Sequence, residues 1–349
     1  MCFVYMIRNL QKRNERGYIQ LQRVGAYLIK NFIGIVVSIF LLSIVIFFMA
    51  RVAPGDPLKA YYGEQVERMT VEEKERAIER LGLNEPLLTQ YMIWLKNSIQ
   101  GDFGISFQYK QPVSHVISNV IGNTILLGGT AYMLTFLLAL VFGILCVYYE
   151  QSLFDRLMCK IGTVFTCIPS FWLALLLILI FSVNMKIFPS GGAYTIGKER
   201  SIGDTIKHLV LPLSVLIIEH LWYYAYLLRN RLIEETRKDY VIFALSKGVP
   251  KWKVLCVHCL KSAMPSYLSL MAVSVPHILG GTYIVESVFS YPGLGRLCFE
   301  SAKYHDYNLL MTLAMLTAVF VVITSMLARQ LSEVLDPSMR RERLGGQIA

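Results

Sequence analysis

"YVIFALSKGVPKWKVLCVHCLKSAMP", Tyr240 to Pro265, is basic, is interrupted by Gly248-Val249-Pro250, and carries its apolar residues at helical spacing. Tyr240, Ala244 and Gly248 stand at i, i+4 and i+8, so they share one helical face where the small residues permit close approach. Gly248 suits a helix stop, and Pro250 suits the first turn of a new helix. In that second helix Trp252, Leu255 or Cys256, Cys259 or Leu260, and Ala263 make an apolar stripe, with Lys251, Lys253 and Lys261 mostly off it. The unit reads as helix, sharp turn, short amphipathic helix, then an apolar run. Two roles fit it: a helix lying on anionic lipid, or a docking site for a partner protein.

The flanks place this hairpin in a membrane protein. Leu209–Leu228 before it is apolar apart from Glu219-His220, and Ser262–Val285 after it is uncharged. Asn31–Ala50, Ile121–Tyr148, Ile161–Met185 and Tyr307–Ala328 are also uncharged. A helical crossing needs about 20 apolar residues, and only helices or closed barrels satisfy the backbone in lipid. The expectation is an all-α polytopic membrane protein with six transmembrane helices. Composition agrees: 55% of the 349 residues are hydrophobic, 17% are charged, and mean hydropathy is +0.49. The net charge of +10 raises nucleic acid as a partner, but the basic residues gather at the ends of apolar runs, so none is expected. The seven cysteines are scattered and suggest no disulfide framework. The basic, polar first 30 residues lack a cleavage signal, so the first apolar run is expected to be a retained span.

Lys and Arg set the orientation. With the N-terminus inside, the inner segments hold 20 of them, from Arg8 through Arg156, the Arg229–Lys261 segment and the tail, against six in the two short outer loops. Both termini are therefore expected in the cytoplasm. The expected organisation is an N-terminal extension (1–30), a first span (31–51), an extracytoplasmic loop domain (52–120), a five-span core (121–330) containing the loop 229–265, and a cytoplasmic tail (331–349). Within the loop domain Thr70 and Glu73 have capping-box spacing. Leu88, Tyr91, Trp94 and Leu95 repeat on one helical face, and "QGDFGISF" reads as a turn-rich return to the membrane.

Tyr240, Ala244, Lys247-Gly248, Val254, His258, Leu260, Ala263 and Pro265 resemble the cytoplasmic coupling loop of binding-protein-dependent ABC importer permeases. The resemblance is closest to the first permease of the dipeptide, oligopeptide and nickel branch. "APGDP" (Ala53–Pro57), "LGLNEPLLTQYMIWLKNSIQGDFGISF", "VESVFSYPGLGRL" (Val285–Leu297) and "LDP" (Leu335–Pro337) resemble further family segments in the same order. The resemblance implies that Tyr240, Ala244, Lys247, Gly248, Pro250, Trp252, His258, Ala263 and Pro265 belong to a loop that docks on an ATPase. It implies a homologous second permease, two ATP-binding cassette ATPases that bind the ATP, and an extracytoplasmic solute-binding protein, all meeting at the membrane lipid. Cargo in this branch spans short peptides, glutathione-like thiols and nickel or metal–chelator complexes. Two departures stand out: Ile242-Phe243 replace the acidic residue of the broader motif, and His305-Asp306-Tyr307-Asn308 replaces the usual Arg-Asp-Tyr-Pro.

Other signals concern the pathway. Pro276, Gly280 and Gly281 interrupt the fifth span, which kinks alone explain or a watery cavity would. Glu286 stands near its outer end as a pathway acid or a headgroup-level residue. Glu219-His220 lies inside the fourth span, where a carboxylate costs several kcal/mol unless paired, hydrated or protonated. It is a pathway contact or an internally satisfied pair. Cys256-Val-His258-Cys259 suggests a metal site, but zinc wants four ligands and no second cluster is visible, so no metal or other cofactor is expected. No GxxxxGK[ST] loop occurs, so ATP hydrolysis falls to another chain. The alternatives to a transport subunit are an intramembrane enzyme or a passive channel using Glu219-His220.

Overall fold

The computed structural model describes residues 33–52, 58, 62–80, 82, 84–198 and 201–335. The first span is α1 (Ile33–Val52). A 3-10 turn (Gly63–Arg68), α2 (Val71–Arg80) and α3 (Leu87–Ile99) follow. The bundle is then built from α4 (Val113–Tyr148), α5 (Leu153–Thr166), α6 (Ser170–Leu177), α7 (Ile202–Thr236), α8 (Asp239–Ser246), α9 (Leu260–Val288), α10 (Leu294–Lys303) and α11 (Tyr307–Leu335). No strand occurs among the described residues; Ile105 and Pro112 form one isolated bridge.

Among the described residues five helices are long and apolar enough to cross a membrane, and a bent pair makes a sixth crossing when counted as one span. That pair corrects the third span. Ile161–Met185 is not one rod: α5 ends at Thr166, the chain turns by 101°, and α6 starts at Ser170. Pro169 has no N–H to continue the ladder and disfavours helical backbone in the residue before it. α6 runs on as a π-helix, Ile178–Asn184.

The fifth span needs a second correction. Pro276, Gly280 and Gly281 do not interrupt it; α9 runs helical through Pro265, Pro276 and both glycines. Nor is the short amphipathic helix a separate element. Lys251–Lys253 passes through a π-helical stretch, Val254–Cys259, straight into α9.

Apolar burial does not drive helix association in lipid, so packing and polar ties carry more of it. α4 and α7 share a core containing Phe136, Leu221, Tyr224 and Leu228. The Tyr267 hydroxyl of α9 donates to the Phe136 carbonyl at 2.6 Å, and the Tyr132 hydroxyl of α4 donates to the Met271 carbonyl at 2.9 Å. Asp155 of α5 and Arg229 of α7 form a buried two-point ion pair, Nε to Oδ1 and Nη2 to Oδ2, both 2.6 Å.

The loop domain matches its sequence signals closely. The Thr70 amide donates to Glu73 Oε2 at 2.9 Å and the Glu73 amide to Thr70 Oγ1 at 3.3 Å, closing the capping box at the start of α2. Tyr91 and Trp94 pack on Phe47 of α1, while Leu88 faces outward. "QGDFGISF" returns the chain through Gly101 and Gly104 in left-handed conformation. Ser106 Oγ then donates to Asp306 Oδ2 at 2.5 Å, tying that loop to the start of α11. "APGDP", the N-terminal extension and all of the tail beyond Leu335 lie outside the described residues.

Candidate functional site

The Tyr240–Pro265 hairpin sits at one end of the bundle, bound to its own chain at three points. Glu235, fully buried in the last turn of α7, accepts from Lys238 Nζ at 2.6 Å and from the Tyr240 hydroxyl at 2.9 Å. Burial and that carboxylate push the Tyr240 phenol up to about 12, so it stays a protonated donor at any physiological pH. Lys251 Nζ donates to the Tyr148 carbonyl at 2.5 Å, and the Trp252 ring meets Tyr148 edge-on at 5.5 Å. Gly248 has φ +80° and Pro250 caps the next helix, so the stop and restart fall where the residue types require.

The faces differ from expectation. Ala244, with Val241 and Val249, packs into the chain's own core, and Tyr240 leans on Glu235. The stripe on the second segment also points inward: Leu255, Cys259 and Ala263 are buried, so Ala263 is a packing residue and no partner can reach it. The stripe records burial against α4 and α7, the surface an amphipathic pattern alone does not identify. Pro265 is half-buried within the helix, and His258 is exposed. Buried Cys259 and exposed His258 point apart, and no group of three metal-ligating side chains gathers among the described residues. What α8 turns outward is Ile242 (58% exposed), Phe243 (60%) and Leu245 (44%), with Lys247 Nζ resting over the Phe243 ring at 4.3 Å. The two residues noted only as a departure from the family motif are the most exposed apolar side chains of the hairpin.

The mid-bundle polar residues form a second group. Glu219 stands at the centre of α7. His220 Nδ1 is 2.9 Å from the Leu216 carbonyl, which only accepts, so this nitrogen carries the proton. Glu219 Oε2 is 4.0 Å from that same nitrogen. His277 of α9, not singled out in the sequence, brings its ring to 5.2 Å from His220, nearly perpendicular. Gly281 supplies the room: a Cβ there would lie 3.3 Å from His220 Cε1 and 3.7 Å from Glu219 Oε2. Gly280 is exposed on the same helix, and Pro276 lies half-buried just before His277.

Glu286 does not join them. It is fully buried, and its carboxylate accepts from Thr124 Oγ1 and the Gly295 and Arg296 amides. A Cβ at Gly293 would overlap this carboxylate, which explains the glycine. Within the chain Glu286 is therefore a helix-capping anion.

A helical bundle with several membrane-length apolar helices and an amphipathic hairpin at one end describes a multi-pass membrane component. The family comparison agrees. Residues 139–341 match the binding-protein-dependent transport system inner membrane component, and residues 24–128 match the N-terminal region of the same component. The chain belongs to this family, and it is a multi-pass permease subunit of an ABC importer rather than an enzyme. It is 33% identical over 315 residues to the oligopeptide transport system permease protein AppB of Bacillus subtilis, covering 90% of this chain and 99% of that one. It is 33% identical over 300 residues to a putative peptide permease protein of Brucella suis biovar 1, covering 86% and 94%. Its fold resembles a chain of the MetNI methionine ABC transporter in an inward-facing conformation, with TM-score 0.52 and 15% identity over 64% of this chain and 97% of that one. The enzyme and passive-channel readings of Glu219-His220 find no support in these comparisons.

Proposed function

We propose that this chain imports short peptides as one of two homologous permeases, paired with two ATPases and fed by an extracytoplasmic binding protein. Both termini and the α8 hairpin lie in the cytoplasm, and α8 docks in a groove on an ATPase. The observation that carries the docking is the outward set Ile242, Phe243 and Leu245 on an eight-residue helix whose other face is fixed to the bundle. A partner's apolar groove accounts for such a set. The similar proteins above, an oligopeptide permease and a putative peptide permease, support peptides as cargo. Tyr240, Lys247, Gly248, Pro250 and Trp252 shape and anchor the hairpin, while Ala244 seats it. Glu219, His220, His277, Gly280 and Gly281 lie on the translocation face.

The test is Phe243→Asp in the co-expressed complex. The variant should reach the membrane and pair with the second permease at wild-type levels, yet lose the ATPase on purification. An ATPase that co-purifies undiminished and drives normal uptake refutes α8 as the dock.

A further inference from the structure

Among the described residues every buried acid is saturated. Asp155 is paired with Arg229, Glu235 with Lys238 and Tyr240, Glu286 with Thr124 and two amides, and Asp306 with Ser106 and the Gln108 amide. Glu219 is different. The Ser170 hydroxyl faces its carboxylate, but Oε2 is buried and has no hydrogen-bond partner among the described residues. His220 cannot supply it, since its Nδ1 proton is committed to the Leu216 carbonyl. An unmatched carboxylate oxygen at mid-membrane depth is costly to keep.

The surroundings say what would match it. The Glu219 side chain is 31% exposed, so the carboxylate stands at the edge of the α7–α9 packing. Beside it α9 presents an open face: Val273, His277, Gly280 and Ile284, spaced as one helical side, are all exposed. A His277 ring opening to hydrocarbon would also be unfavourable, so this face meets water, cargo or the second permease, and the experiment below separates the last two. The carboxylate oxygens accept, a neutral imidazole adds one acceptor nitrogen per ring, and no Lys or Arg ion pair to Glu219 occurs among the described residues. On α7 the nearest basic residues, Lys207 and Arg229, stand far along the helix on either side. The missing element is a positively charged donor, and an amine carries three N–H groups.

We propose that Glu219, with His277 beside it, is a cargo contact that receives the unblocked ammonium group of a passing peptide. This rests on the peptide-import reading above and adds a charge requirement inside the membrane, separate from the binding protein's own selection.

The experiment uses the whole transporter, with its second permease, ATPases and binding protein, in proteoliposomes. Uptake is measured by mass spectrometry for an equimolar library of short peptides and for the same library N-acetylated. Glu219→Gln keeps the side chain's size and removes its charge. It should cut uptake of free-amine peptides about ten-fold, the scale of one charge-assisted hydrogen bond, with little change for acetylated ones. Hydrolysis stimulated by the loaded binding protein should persist. His277→Asn should weaken uptake in the same selective direction. Equal loss for both libraries, joint loss of uptake and stimulated hydrolysis, or no change at all each overturn the proposal. So does failure of Glu219→Gln to assemble with the second permease, which would assign the oxygen to a cation of that subunit. A wild-type transporter that moves neither library refutes the peptide reading itself, and the proposal falls with it.

Discussion

The Glu286 carboxylate caps a helix further along its own chain: Oε2 accepts the Gly295 N–H at 2.6 Å, while Oε1 accepts the Thr124 hydroxyl at 2.7 Å. One buried anion thus joins α4, α9 and the start of α10. Glu286→Leu leaves a hydroxyl and two amides without an acceptor, a cost of about 1–3 kcal/mol for each group that finds no water. The expected result is a lower melting temperature of the purified permease pair, with uptake per assembled transporter nearly unchanged. A stable variant with no uptake would put Glu286 back on the pathway.

The Asp155–Arg229 pair should behave as a clamp between α5 and α7. Its side chains are 3% and 17% exposed. Asp155→Ala strands the guanidinium, and breaking a buried pair this way costs about 3–5 kcal/mol. Removing both charges, as Asp155→Leu with Arg229→Met, should recover much of the loss. Thermal unfolding in detergent checks the order: double variant above the Asp155 single.

Gly248 is a backbone position. Its φ of +80° is open to glycine, and a Cβ there meets nothing within 4 Å. Gly248→Val should therefore strain the turn by about 1–2 kcal/mol without any clash. Insertion and subunit pairing are expected to survive, and stimulated hydrolysis to fall as α8 tilts. Gly248→Asn, which tolerates this conformation better, should fall less.

Topology is open to labelling. In a variant freed of native cysteines, an impermeant maleimide added from outside should modify a cysteine at Glu73 and miss one at Lys251. The reverse pattern would invert the placement of α8 and remove its access to any cytoplasmic ATPase.

Much of this fold was legible because its signals are local. The Thr70–Glu73 capping box spans one helical turn and formed as read. The uncharged runs located the spans because bilayer thickness fixes their length. The hairpin's stop and restart followed from Gly248 and Pro250 alone. What stayed hidden depends on partners distant in the chain. An apolar stripe at Leu255, Cys259 and Ala263 shows that one face is covered, not whether the cover is α7 or another protein. Asp155 and Arg229 lie 74 positions apart, and neither draws notice at the end of an apolar run. His277 gains meaning only when α9 crosses α7 at His220. The elbow at Pro169 had a readable cause, yet an unbroken hydropathy signal masked it.

That elbow has a consequence for biosynthesis. Its arms are short: α5 has 14 residues, and α6 has 8 with 7 more in the π-helix. Each reaches about 20 Å, less than the roughly 30 Å of hydrocarbon in a bilayer. Neither arm can be threaded across alone, and both lean on α7, which the ribosome makes afterwards. The nascent chain must therefore hold Leu153–Asn184 in a provisional position, flat or straight, until Ile202–Thr236 emerges. The 101° turn is then set by folding against a late-arriving neighbour rather than by the insertion machinery, so a chain stalled before Ile202 should display a different membrane disposition from the finished protein.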